Sequence, residues 1–166
     1  MAEWLEFHPR SLLERLVAGT VDFIVIGGIA AVVHGSATIT RDLDIVYAPD
    51  HDNLERLGEV LVTLGARLRG VTDDVPFVPD GRTLRRTRVL TLDTPQGRLD
   101  VLAQPDGSPA YELLRERSVL TDLEGIVVRV AALDDLIAMK RAAGRPKDLV
   151  AVEELEAIQR LQRERA

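Results

Sequence analysis

The segment at residues 26–47 reads IGGIAAVVHGSATITRDLDIVY and contains most of the information about the fold. It continues the apolar run VDFIV, which predicts a buried strand that ends at a Gly-Gly turn. The residues IAAVVHG then predict a short helix that stops at Gly35, and LDIVY at 43–47 predicts a second strand. Because a single short helix separates the two strands, we expect the chain to return and place the second strand beside the first.

Two carboxylates stand at the entrance to this second strand. Asp42 and Asp44 are two residues apart, and side chains alternate along a strand, so both are expected on the same side. They repel each other, and burial of either is costly without a cation. Mg²⁺ is bound by such oxygen ligands, usually together with substrate phosphates. Taken alone, the pair is more typical of a turn cap at Asp42 followed by an exposed strand face at Asp44.

Two further features give the acids a context. Gly27 and Gly28 lie between a strand and a helix, where glycine lets the backbone approach a ligand and helix N–H groups can face an anion. Asp100 lies between apolar neighbours in an alternating strand, where an acid is costly unless it is solvated or liganded. Three carboxylates around two Mg²⁺ ions would orient a triphosphate and activate an acceptor hydroxyl. A tight turn and an edge strand are the alternative interpretations of these residues.

The rest of the chain predicts an α+β protein with a small mixed sheet flanked by helices. Helical spacing predicts helices at 9–18 and 51–64, and turn residues predict hairpins around 95–97 and 124–125. The end of the chain is helical, with a break at 144–146. We expect a single domain over residues 1–166, with a core at about 20–130 and C-terminal helices at about 131–163.

Composition narrows the class of protein. The chain has 166 residues, is 46% hydrophobic and contains no cysteine, which excludes disulfides, thiolate metal sites and cysteine nucleophiles. The first ten residues do not resemble a signal peptide, and the longest apolar stretch, Phe23 to Val33, is about half the length of a membrane span. We therefore expect a cytoplasmic protein without a membrane partner.

Charge is unevenly distributed along the chain. The net charge of −6 disfavours a surface that attracts nucleic acid everywhere. Between residues 67 and 88, however, six arginines stand against three aspartates. This arginine strip, at positions 67, 69, 82, 85, 86 and 88, is either a set of phosphate contacts or a solvated loop and strand face.

The segment at 26–47 resembles the nucleotidyltransferase superfamily, which has the polymerase β-like fold, in its glycine turn, its DxD and its later single aspartate. The turn in those enzymes usually reads Gly-Ser, whereas Gly-Gly is more similar to the AbiEii toxin branch and to some antibiotic nucleotidyltransferases. The segment LDDLIAMKRAAGRPKDLVAVEEL also resembles the AbiEii pattern, in which a lysine and a later aspartate complete the site. Here these are Lys140 and Asp148. The resemblance covers roughly residues 20–155.

The resemblance implies a nucleotidyltransferase that moves an NMP unit from an NTP to an acceptor hydroxyl. It implies a two-ion Mg²⁺ site, with Mn²⁺ as an alternative ion, on Asp42, Asp44 and Asp100, the last as a base or second-metal ligand. Lys140 and Asp148 would complete the catalytic set. The implied nucleotide-binding residues are Gly27, Gly28, Thr40, Arg41 and Lys140. Gly-Gly in place of Gly-Ser removes a hydroxyl that commonly touches phosphate.

Three functions are consistent with these residues. The first is a toxin of a toxin–antitoxin pair that modifies tRNA, another RNA or a protein, and that has a cognate antitoxin as a partner. The second is a nucleotidyltransferase that modifies an antibiotic or another small molecule. The third is a catalytically silent module that binds nucleotide. The sequence does not specify the NTP, the acceptor or the oligomeric state.

Overall fold

The computed structural model describes residues 6–72 and 77–166. Asp73 and Asp74, two of the three aspartates in the segment of the arginine strip, lie outside the described residues. Seven helices are formed in these two ranges: α1 (Pro9–Ala18), α2 (Gly27–Val33), α3 (His51–Thr63), α4 (Gly81–Arg86), α5 (Tyr111–Arg117), α6 (Leu133–Ala143) and α7 (Pro146–Arg165). The same ranges contain seven strands: β1 (Phe23–Ile26), β2 (Asp42–Tyr47), β3 (Arg67–Leu68), β4 (Val89–Thr94), β5 (Gly97–Leu102), β6 (Val119–Leu123) and β7 (Ile126–Val130).

The described strands form one mixed sheet in the order β3-β4-β5-β2-β1-β7-β6. The central pair β1–β2 is antiparallel, and each of these strands has a parallel neighbour on its outer side, β7 beside β1 and β5 beside β2. The hairpins β4–β5 and β6–β7 and the pair β3–β4 supply the remaining antiparallel pairs. The α+β class and the mixed sheet are therefore confirmed, although seven strands make a larger sheet than we expected. The single-domain assignment stays a prediction.

Most predicted elements are found where the sequence placed them, with two differences. Helix α2 begins at Gly27 and not at Ile29, because Gly27 has a φ of 68° and turns the chain from strand into helix without an intervening loop. Three short elements, β3, α4 and α5, were not predicted. None of the helices in residues 6–72 and 77–166 is long and apolar enough to cross a membrane.

Alternation along β2 and β5 separates the core from the carboxylates. On one face Leu43, Ile45, Leu99 and Val101 are completely buried in the main hydrophobic cluster. Because successive side chains point to opposite faces, the acids that lie between these residues share the other face. The apolar residues thus fix the strands, and the strands fix which way the carboxylates point.

The C-terminal helices reach the carboxylate face through α2, which contacts β1, β2 and α6. Helix α6 ends at Gly144, whose φ of 65° is the left-handed conformation of a helix stop. Arg145 caps the next helix, and Pro146 occupies its first turn, where proline loses no hydrogen bond. The predicted break at 144–146 is confirmed, and it folds α7 back against α6.

A buried asparagine fastens the two central strands at the end remote from the acids. Asn53 on α3 is fully buried. Its Oδ1 accepts from the Asp22 N–H at 2.7 Å, and its Nδ2 donates to the carbonyls of Asp22 and Ala48 at 3.0 and 2.9 Å. These three bonds join the residue before β1 to the residue after β2.

We expect Asn53→Ala to lower the free energy of unfolding by about 2–4 kcal/mol, because it leaves the Asp22 N–H and the Ala48 carbonyl without the partner that Asn53 provides. Urea titration measures the change. The matched control is Thr63→Ala on the same helix, which removes only an exposed bond to the Glu59 carbonyl and should change stability by less than about 0.5 kcal/mol. Equal effects of the two substitutions would contradict this account of the central strands.

Candidate active site

One cavity of about 510 Å³ is lined by every residue that the sequence predicted for the catalytic, metal-binding or nucleotide-binding site. It lies at the edge of the sheet where β1 ends and β2 begins. The nine predicted residues in its wall are Gly27, Gly28, Thr40, Arg41, Asp42, Asp44, Asp100, Lys140 and Asp148. The structure therefore places these side chains and backbone groups together, from four separate parts of the chain.

The register of the sheet forms a row of residues across this edge. Ile26 on β1 is opposite Asp44 on β2, and Asp44 is opposite Asp100 on β5. Asp100 is opposite Thr91 on β4, whose carbonyl accepts from the backbone N–H of Arg69 at 2.9 Å. Directly opposite residues share a face of the sheet, so the two acids are held side by side.

The two acids disturb each other's ionisation. Burial, together with the charges of Asp100 and Asp42, raises the pKa of Asp44 to about 7. Asp44 and Asp100 share a hydrogen bond, which favours the proton on Asp44. Burial also raises the pKa of Asp100, and the neighbouring Arg69 opposes that rise. A carboxyl that ionises near neutral pH is typical of functional sites and rare elsewhere.

The glycine turn presses directly on the acids. Gly27 has a positive φ, and a Cβ at this position would lie against Oδ2 of Asp44. A Cβ on Gly28 would lie 2.7 Å from both Cβ and Oγ1 of Thr40. A serine at position 28 would thus require Thr40 to move, since Thr40 already places a hydroxyl beside the turn. Both positions are thus filled closely by the side chains of Asp44 and Thr40, and the approach of these glycines to a ligand stays a prediction.

The lysine and aspartate of the C-terminal helices form a buried ion cluster. Asp148 is only 1% exposed, and its carboxylate lies 3.5 Å from Nζ of Lys140. The guanidinium of Arg145 donates to it from Nε at 2.6 Å and from Nη2 at 3.2 Å. These hydrogen bonds lower the pKa of Asp148. The cluster holds Lys140 near enough to Asp44 to offset part of the rise in the pKa of that acid.

A divalent cation fits the chemistry of this edge. Oδ1 of Asp42 is buried and has no hydrogen-bond partner, although such oxygens are normally paired. Beside it stand two further carboxyl groups. In residues 6–72 and 77–166, however, no three acidic or histidine side chains are already arranged around a metal position. The unpaired oxygen of Asp42 thus fits a cation, and Asp42, Asp44 and Asp100 as the ligands of that cation stay predictions.

Sequence reasoning missed three charged residues at the site. Arg145 and Lys147 line the cavity, and Arg69 reaches Asp100 from outside it. The short spacing of Arg145 and Lys147 around Asp148 was the only available signal. Nothing in the sequence brings Arg69 to the acids, because its approach depends on the pairing of β3 with β4.

The arginine strip does not line the cavity, apart from this indirect link through Arg69. The hydroxyl of Tyr47, at the far end of β2, donates to the carbonyls of Leu84 and Thr87, and so fixes the 82–88 part of the strip there. Tyr47 is five residues from Asp42 along the strand, or ~17 Å. Tyr47 therefore holds the helical part of the strip, α4, away from the start of β2, whereas Arg69 lies beside Asp100.

Comparison with known proteins identifies the chain by family and by fold. Residues 11–150 match the family model described as nucleotidyl transferase AbiEii toxin, type IV TA system. The match covers both the glycine turn with its acids and the Lys140–Asp148 pair. No curated protein sequence matches the chain.

Three solved structures share the fold at low sequence identity. The lincosamide antibiotic adenylyltransferase LnuA, solved with lincomycin bound, has a TM-score of 0.61 at 15% identity, over 90% of this chain and 95% of that chain. The antibiotic-resistance factor ANT(2'')-Ia gives 0.55 at 15% identity, over 93% and 91%. A protein of Thermotoga maritima described as a nucleotidyltransferase gives 0.52 at 15% identity, over 99% of both chains.

The raised pKa of Asp44 predicts a pH-dependent stability in the absence of divalent cations. Between its usual value of 3.8 and about 7, the unfolded chain releases the Asp44 proton while the folded protein retains it. The free energy of unfolding should therefore fall as pH rises through this window and level off above it. Asp44→Asn removes the charge. The free energy of unfolding of this variant should therefore exceed that of the parent by roughly 1–4 kcal/mol at pH 8.

Urea titrations in EDTA from pH 4 to pH 8 measure this difference. The control is Asp52→Asn, an exposed acid in the first turn of α3, whose stability should run parallel to that of the parent at every pH. Parallel curves for Asp44→Asn and the parent would show that Asp44 ionises normally, and that its burial beside Asp100 is not electrostatically costly.

Proposed function

The chain belongs to the AbiEii nucleotidyl transferase family, and from that premise we propose that it transfers an NMP unit from an NTP to a hydroxyl of an RNA acceptor. The observation that carries the proposal is the unpaired, buried Oδ1 of Asp42 beside the Asp44–Asp100 pair. Such an arrangement is unfavourable in the protein alone and becomes favourable when a cation and a triphosphate are bound.

The charges of the cavity suit a nucleotide with its metal ion. The charged residues of its wall are four acids and four bases. Two of the bases are engaged with Asp148, which leaves Asp42, Asp44 and Asp100 as a concentration of negative charge. A triphosphate alone would be repelled from these acids, whereas a triphosphate that shares a divalent ion with them would be attracted.

The bases provide the phosphate contacts in this proposal. Lys140 acts as a point charge toward the triphosphate, and Lys147 at the exposed start of α7 is a second candidate. Asp148 has no free face, so we assign it the role of orienting Lys140 and Arg145 and not of touching substrate. The first-turn N–H groups of α2 at Gly27 and Gly28, with Thr40 and Arg41, border the same space.

The carboxylates provide the chemistry. Asp42, Asp44 and Asp100 would hold Mg²⁺, which when bound would neutralise charge on the phosphates and activate the acceptor hydroxyl. The acceptor oxygen forms a bond to the α-phosphorus as the bond from that phosphorus to the β-bridging oxygen breaks, and pyrophosphate leaves. Asp100, whose pKa is raised by burial, accepts the proton of the hydroxyl.

RNA as the acceptor is supported by the distribution of positive charge around the cavity and in the arginine strip. Arg41, Arg145 and Lys147 are exposed at the cavity, and the exposed arginines at 82, 85, 86 and 88 of the strip offer a second group of contacts. A net charge of −6 confines phosphate contacts to such patches. The likeness to antibiotic-modifying enzymes concerns the fold alone, because the identities are near 15%.

The test is a transfer assay with each α-labelled NTP, Mg²⁺ and total cellular RNA, with labelled products separated by size. The parent should label an RNA species with at least one NTP. Asp44→Asn should reduce the labelling by at least ~100-fold, because a ligand of the proposed ion is lost. Asp52→Asn, an exposed acid remote from the cavity, serves as the matched control and should label like the parent.

Other outcomes of the assay separate the alternatives. Label on a protein band, again lost in Asp44→Asn, would replace RNA by a protein hydroxyl as the acceptor. NTP binding by calorimetry without any transfer would support a silent nucleotide-binding module. If labelling of RNA is the same for the parent and Asp44→Asn, the assignment of the carboxylates is wrong.

A further inference from the structure

Arg69 is the one residue of the arginine strip that contacts a carboxylate of the candidate site among the contacts described in residues 6–72 and 77–166. It follows the two-residue edge strand β3, and its side chain crosses β4 to reach Asp100 on β5. Its Nη2 donates to Oδ1 of Asp100 at 2.8 Å and to the Leu92 carbonyl at 3.0 Å. Its Nε donates to Oδ1 of Asp93 at 3.1 Å.

Four hydrogen bonds anchor Arg69, three through its guanidinium and one through its backbone N–H. Three acceptors on β4 and β5 hold its side chain, and the Thr91 carbonyl holds its backbone N–H. The side chain is only 25% exposed, and that of Asp100 is 18% exposed. The planar fork of arginine matches this set of acceptors, whereas the single ammonium of lysine cannot reach all of them at once.

The ion pair with Arg69 occupies Oδ1 of Asp100, which is one of the two oxygens that this carboxylate could offer to a cation. Asp100 has two oxygens, one bonded to Arg69 and the carboxyl as a whole hydrogen-bonded to Asp44. Both demands are satisfied while no cation is present.

We infer that Arg69 is a positioning residue that stands in for the cation: it holds Asp100 beside Asp44 before the ion binds, and the ion must compete with it. The inference rests on the proposed cation-binding role of the carboxylates. It has two consequences of opposite sign. Arg69 stabilises the protein without metal, because it offsets the repulsion among the acids, and it weakens the binding of the ion.

The test measures Mn²⁺ affinity and stability in parallel, with the free ion followed by electron paramagnetic resonance. Arg69→Gln removes the charge and keeps a donor for the Leu92 carbonyl. It should bind Mn²⁺ about tenfold more tightly than the parent, because a unit positive charge next to a ligand of the ion is lost. In EDTA it should unfold at a lower urea concentration. Arg69→Lys keeps the charge and should stay within about threefold of the parent affinity.

Arg117→Ala is the matched control. It removes an arginine that donates to the buried carboxylate of Asp135 at 3.0 Å, outside the cavity. It should lower stability in EDTA and leave Mn²⁺ affinity unchanged. A purely structural role for Arg69 would give the same result, or a weaker affinity. If Arg69→Gln does not fold, Asp93→Asn, which loosens the anchoring of the guanidinium at Nε, is measured instead. It should bind Mn²⁺ more tightly than the parent, and an unchanged or weaker affinity overturns the inference.

The outcome also distinguishes this inference from the proposed function. If the parent does not bind Mn²⁺, or if Asp42→Asn binds Mn²⁺ as tightly as the parent does, the assignment of the cation site itself is wrong. If the parent binds Mn²⁺ at Asp42 and Arg69→Gln leaves the affinity unchanged or lowers it, only the role of Arg69 is wrong.

Discussion

The cross-strand pairing of Asp44 with Asp100 is the interaction on which the rest of the site depends. Two acids on parallel neighbouring strands repel each other, and partial burial makes the repulsion stronger. The sheet maintains this arrangement because the chain neighbours of the two acids are completely buried on the opposite face. These neighbours are Leu43 and Ile45 on β2 and Leu99 on β5. A slip of one residue would bury the acids and expose the core, so the packing of the core determines where the charge accumulates.

The surrounding residues respond to this concentration of charge. Gly27 provides the space that the Asp44 carboxyl needs, and Arg69 and Lys140 bring positive charge to it from opposite sides of the row. Asp42 keeps an oxygen without a partner. An electrostatic arrangement that is strained in the free protein, and relieved by a cation, is consistent with a nucleotidyltransferase whose substrate carries phosphates.

Local patterns were sufficient to predict the central strands, the long helices and the acids. The alternation around Asp42 and Asp100, and the glycines before a helical segment, are short-range signals. The elements β3, α4 and α5 are two to seven residues long, which is too short for a periodic pattern to develop. The contact of Arg69 with Asp100 could not be predicted either, because it is created by the pairing of β3 with β4 and of β4 with β5, and β3 is far from β5 in sequence.

The central claim is that the unpaired Oδ1 of Asp42 and the adjacent acids form the place of a divalent cation. Crystals grown with Mn²⁺ and a non-hydrolysable NTP, with anomalous diffraction recorded at the manganese edge, test this directly. We expect an anomalous peak within about 2.0–2.4 Å of carboxylate oxygens of Asp42 and Asp44, on the cavity side of β2. An ordered nucleotide without a manganese peak at these two residues would contradict it.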